Sequence, residues 1–148
     1  FLRGTRWVSG SSYFVLYEVE SLATLTGGAY LERLNNPTPW SQKMMPHHRN
    51  MVRSLCLVRD GYGGGIPNIM ATVRSSGKLP RGKGLSSAHL LESQPMPAPT
   101  AEQKIRGQDG TVDWVLLVGG YDESAVRAAA GGAELYRPAY SLSSGEIA

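Results

Sequence analysis

Cysteine is nearly absent: Cys56 is the only one among 148 residues. That excludes an internal disulfide framework and any site needing several thiolates from one chain. Long apolar runs are missing too. The longest aliphatic or aromatic stretches, such as Trp114 to Val118, are far short of the roughly 20 residues that a membrane-spanning helix needs, so no membrane partner is expected. No charged leader followed by an apolar core opens the sequence, so no secretory signal is expected and the chain reads as cytoplasmic. Charge is modest as well, with 18% charged residues and a net charge of +3. The densest basic cluster, Lys78, Arg81 and Lys83, lies in a Gly/Pro-containing link without an aromatic residue. Nucleic-acid binders group basic side chains on one surface, with aromatics among them for single strands. No nucleic-acid partner is therefore expected.

What is present is a turn-rich globular composition, 41% hydrophobic with 18 Gly and 9 Pro, about one ordinary domain in length. Tyr13 to Val19 is dense in aromatic and β-branched residues and predicts a strand. Residues 1–8 precede it across Ser9-Gly10-Ser11-Ser12, giving a hairpin. Ser21 opens a helical pattern to Leu34, interrupted at Gly27-Gly28 and ended by Asn35-Asn36-Pro37. A connector over 37–46 leads to a strand over 50–58, and Asp60 to Gly65 reads as a glycine-rich linker. Beyond it come strands over 67–74, 84–92 and 112–118, a helix over 124–130 closed by Gly131-Gly132, and a last strand over 134–142. Pro138 predicts an edge position or a bulge in that last strand.

The order strand–strand–helix–strand occurs twice, before and after the linker. It predicts an α+β fold of two ferredoxin-like repeats, residues 1–60 and 66–148 joined by 61–65. The first repeat lacks the opening strand and helix of that unit. In the second, only the nine residues Ser75 to Lys83 stand where the first helix belongs. Either the link crosses extended, within reach at about 3.3 Å per residue, or residues are absent from the sequence at that point; the second alternative is the expectation.

Residues 1–7 (Phe-Leu-Arg-Gly-Thr-Arg-Trp), 13–21, Ala29-Tyr30-Leu31, Thr38-Pro39-Trp40 and Arg49-Asn50-Met51 resemble the EthD-like branch of the dimeric α+β barrels. The resemblance covers about residues 1–60 in sequence and 66–142 as pattern. It implies two ferredoxin-like sheets packed as an α+β barrel, here a pseudo-dimer within one chain with helices outside, and is compatible with a homodimer. The family's acidic, histidine-containing stretch ahead of the Phe1 position is not in this sequence, so that part of a family site has no counterpart.

Candidate chemistry rests on few side chains. His89 is the acid–base candidate, while Arg6 and Arg53 would steady negative charge on a carboxylate or enolate. Trp7, Tyr13, Tyr17 and Tyr136 are candidates to line an aromatic-binding cavity. His47 and His48 are adjacent and point apart on an extended chain, so no metal is expected. Gly61 to Gly65 lacks the ending of a phosphate loop, and no Gly-x-Ser-x-Gly elbow exists, so no cofactor is expected. The functional expectation is a protein that binds or transforms a small hydrophobic or aromatic carbonyl compound. The alternative is a non-catalytic ligand-binding or structural accessory protein.

Overall fold

The computed structural model describes residues 1–107 and 109–146, of Arg106 the backbone only. Strands β1 (Arg3–Val8) and β2 (Tyr13–Glu18) form the expected hairpin, with Ser9 N–H donating to the Ser12 carbonyl at 2.9 Å. The apolar positions after Ser21 form two short helices, α1 (Ala23–Thr26) and α2 (Gly28–Asn35), because Gly27 between them is extended at φ −70°, ψ 154°. Residues 37–46 hold more structure than a connector. Thr38 accepts a hydrogen bond from the Ser41 N–H at 3.1 Å and starts α3 (Pro39–Met44), which runs into a 3₁₀ turn over Met45–His47.

Strand β3 (Leu55–Tyr62) begins later than 50–58 and absorbs the front of the glycine stretch. Arg53 therefore precedes the strand. Gly61 is tolerated there because the His89 ring covers it: a Cβ at Gly61 would lie 2.5 Å from His89 Cδ2. Next come β4 (Ile69–Val73) and β5 (Leu85–Gln94). The link between them, Ser75 to Lys83, crosses directly and without a helix. Tyr62 fastens it, its hydroxyl donating to the Pro80 carbonyl at 2.6 Å and its ring lying 4.1 Å from the Arg81 guanidinium. Helix α4 (Ala101–Arg106) starts at a capping box between Thr100 and Gln103. Strand β6 (Trp114–Gly120), helix α5 (Glu123–Ala129) and strand β7 (Leu135–Ser143) complete the chain, with a 3₁₀ turn over Ser144–Glu146.

The seven strands form one curled, fully antiparallel sheet in the order β2-β1-β7-β4-β6-β5-β3. Residues ahead of the glycine stretch thus occupy both ends of the sheet, and later residues its middle. Three junctions carry bulges. Arg59 of β3 is the extra residue against β5, Ser86 of β5 is the extra residue against β6, and Ala139 of β7 is the extra residue against β1. Pro138 lies beside the Ala139 bulge, past the last residue of β7 that pairs with β4.

Alternation along the strands gives the sheet two different faces. On one, Ile69, Ala71, Leu116 and Val118 pack against Val126 and Ala130 at α5. On the other, Trp7, Met70 and Leu117 are buried with Phe14, Leu16, Leu91, Val115 and Tyr136 around them. We refer to these as the α5 face and the Trp7 face.

Candidate functional site

Strand register decides which candidate side chains meet. Trp7 faces Phe14 on β2 and Pro138 on β7, so it points to the Trp7 face. Its indole is 2% exposed and stacks on Phe14 with centroids 5.8 Å apart and planes 7° from parallel. Phe14 in turn meets Tyr136 edge-on at 4.9 Å. Trp7 and Tyr136 are therefore brought together, with Phe14 between them, as packed core rather than as walls of an open cavity. The indole Nε1–H is buried and finds no hydrogen-bond partner among the described residues. His89 lies on the same face, opposite Leu117 and Gly61 and half-buried.

Arg6 is one residue from Trp7 and so projects to the α5 face, where it pairs with Val15 on β2 and Tyr140 on β7. Its guanidinium sits over the Tyr13 ring at 4.9 Å. No carboxylate pairs with it among the described residues. Arg3, by contrast, is held by Glu18, with Nη2 donating to Oε1 at 3.0 Å. Tyr17 lies on the α5 face opposite Gly4, and its ring and that of Phe1 meet in a T-shaped contact with centroids 5.7 Å apart. Burial raises the Tyr17 hydroxyl pKa, and the neighbouring Tyr30 and Glu102 add to the effect. Arg53 reaches neither group; its Nη2 donates to the Tyr30 hydroxyl at 3.4 Å.

The sheet thus separates the candidates. His89, Trp7 and Tyr136 are on one face, Arg6, Tyr13 and Tyr17 on the other, and Arg53 lies outside the strands. A histidine and an arginine on opposite faces do not act on one small substrate.

An apolar groove of about 410 Å³ opens on the Arg6 side. Phe1, Val15, Tyr17, Tyr140 and Leu142 wall it, and Arg6 supplies a charge to its lining. Val15, Tyr140 and Leu142 are groove residues that sequence reasoning missed. Val15 alternates with Tyr13 and Tyr17, so its face was readable, whereas Tyr140 and Leu142 arrive only through the β1–β7 register. A second hollow of about 400 Å³ lies among Arg74, Ser75, Thr111 and Asp113.

Glu134, Cys56 and His48 are engaged elsewhere in the structure. Glu134 accepts hydrogen bonds from the hydroxyls of Ser9, Ser11 and Ser12 at 2.6, 2.7 and 2.9 Å, clamping the hairpin turn beside β7. Those bonds hold its carboxyl at about 2. Burial raises the Cys56 thiol above its ordinary pKa, which keeps it protonated and a poor nucleophile. His48 places Nδ1 3.3 Å from the Met44 carbonyl and its ring edge-on to Tyr13. Among the described residues no three His, Cys, Asp or Glu side chains are grouped to hold a metal, and no helix is long and apolar enough to cross a membrane. No protein-family model, curated protein or solved structure matches the chain.

Proposed function

We propose that this chain is a binding module, built from two ferredoxin-like repeats, that takes up a small aromatic carboxylate or related carbonyl compound in the groove beside Arg6. The observation that carries the reading is an arginine, paired with no carboxylate among the described residues, lining an apolar groove walled by Val15, Tyr17 and Tyr140. Such a pocket desolvates a ring, while the guanidinium offers two parallel donors to a carboxylate. Binding is favoured over catalysis because His89 lies across the sheet and Cys56 is held as the thiol.

Several features support the repeat reading. Over residues 69–143 the strands stand in the order β7-β4-β6-β5, that is last, first, third, second, which is the arrangement of a split βαβ unit. The other three strands fill matching roles. β1 and β2 pair as β5 and β6 do, and β3 joins β5 as β7 joins β1. Each joining strand starts at a leucine, Leu55 or Leu135, and carries its extra residue four positions on, at Arg59 or Ala139. The likeness of residues 1–51 to the EthD-like α+β barrels agrees with this plan.

A thermal-shift panel of benzoate, phenylacetate and neutral benzamide tests the binding reading, because a ligand selective for the native state raises its melting temperature. The acids should stabilise the protein and the amide much less. Arg6→Gln should weaken acid binding by about 1 kcal/mol, roughly fivefold, a discounted value since the guanidinium is exposed and screened. Equal shifts for acid and amide, unaffected by Arg6→Gln, would refute the role of the arginine.

A further inference from the structure

We infer that the hollow where β4 parts from β6 is a second binding site, one that takes the zwitterionic head of a free α-amino acid, with its carboxylate on Arg74 and its ammonium on Asp113. The hollow shares no lining residue with the groove beside Arg6, so the inference does not rest on that reading.

The space originates where a ladder ends. β4 pairs with β6 from Ile69, opposite Gly120, to Val73, opposite Leu116, and the pairing stops there. Beyond it the Ser75 N–H donates back to the Val73 carbonyl at 3.0 Å, and the Gly77 N–H donates to the Ser75 Oγ at 3.1 Å. These bonds turn the chain away from β6 at once. β6 meanwhile stays with β5: Trp114 lies opposite Glu92, and the Ser93 N–H donates to the Asp113 carbonyl at 2.8 Å. The two strands therefore splay. A space of about 400 Å³ opens between Arg74, Ser75 and Ser76 on one side and Thr111, Asp113 and Trp114 on the other, a volume common for small-ligand sites.

Charge selects the ligand. Arg74 and Asp113 line the same space, yet among the described residues neither side chain forms an ion pair, with the other or elsewhere. Both are exposed, and neither charge is cancelled within the fold. A simple anion would meet the Asp113 carboxylate as well as the guanidinium, and a simple cation would meet the same pair with the signs reversed. A molecule carrying both charges on neighbouring atoms matches both groups.

The donors and acceptors fit the same head group. A guanidinium offers two parallel N–H donors to a carboxylate. A primary ammonium has three N–H donors, enough for the Asp113 carboxylate and for a hydroxyl oxygen such as that of Thr111. The half-buried Trp114 indole lines the same hollow and adds an aromatic surface that attracts a cation. Because the charged groups are exposed and screened, one charge contact changes affinity by about fivefold.

An NMR titration of L-alanine into the isotope-labelled chain tests the site. Propionate and isopropylammonium supply the two halves of its charge, and glucose is a neutral polyol control. Alanine should shift the amides of Ser75, Ser76, Thr111 and Asp113 and bind about fivefold tighter than either half. Arg74→Gln should weaken alanine by about the same factor without weakening isopropylammonium, and Asp113→Asn should weaken alanine without weakening propionate. Both substitutions are at exposed positions, where the fold tolerates them. Propionate binding as tightly as alanine would make this an anion site, and glucose binding as tightly would make it a polyol site; either result overturns the inference. So does alanine binding that both variants leave unchanged, or the absence of shifts at those four amides.

Discussion

Replacing Trp7 separates the packing and the polar terms of the core opposite α5. The indole is 2% exposed, stacked on Phe14, and Phe14 is itself edge-on to Tyr136. Trp7→Ala should therefore cost about 3–5 kcal/mol, the usual range for a large aromatic removed from a packed core. That lowers the melting temperature of a chain of this length by roughly 6–20 °C. Trp7→Phe is more informative. It leaves a smaller void and also removes the Nε1–H that has no partner among the described residues. An unsatisfied buried donor costs about 1–3 kcal/mol, so its removal offsets most of the lost packing, and the net change should stay within about 1 kcal/mol. Urea unfolding followed by far-UV circular dichroism, at unchanged slope, measures both variants. If Trp7→Phe is as damaging as Trp7→Ala, the indole N–H is satisfied in solution and the reasoning fails.

Other expectations follow from single sites. Gly63 has φ +79°, and a Cβ there would lie 2.2 Å from the Ser86 carbonyl oxygen, so Gly63→Ala should destabilise by roughly 1–3 kcal/mol in the same unfolding assay. Gly61→Val should displace the His89 ring, which its Cβ would meet at 2.5 Å; a shifted His89 ring resonance in NMR spectra checks it. The Glu134 carboxyl is held at about 2, below its ordinary value of 4.5. A lowered folded-state pKa gives stability that is present above pH 4.5 and lost as pH falls toward 2. Melting temperature should decline across that window, and Glu134→Gln should flatten the decline.

Much of the architecture is legible because the local signals agree with one another. The serine-rich turn between two aromatic strands fixes the first hairpin, and Gly27 breaks the helix where the glycine pair stands. Other elements were missed although a local cue existed. Thr38-Pro39 offers a cap and a proline at the first helical position, and Thr100 with Gln103 forms a capping box, yet α3 and α4 are too short for periodicity to reveal. The extent of β3 was not readable. Gly61 favours a linker on propensity, and only the His89 ring across the sheet makes it a strand residue. At the candidate site, alternation alone places Arg6 and Trp7 on opposite faces. The groove needs a non-local fact, the β1–β7 register that brings Tyr140 and Leu142 beside Arg6.

Mapping amide and side-chain chemical shifts while benzoate is titrated into the protein addresses the binding site most directly. Perturbations should centre on Arg6, Val15, Tyr17 and Tyr140 and should shrink in the Arg6→Gln variant. Perturbations gathered around His89 and Leu117, with the arginine side of the sheet silent, would contradict a groove on the α5 face.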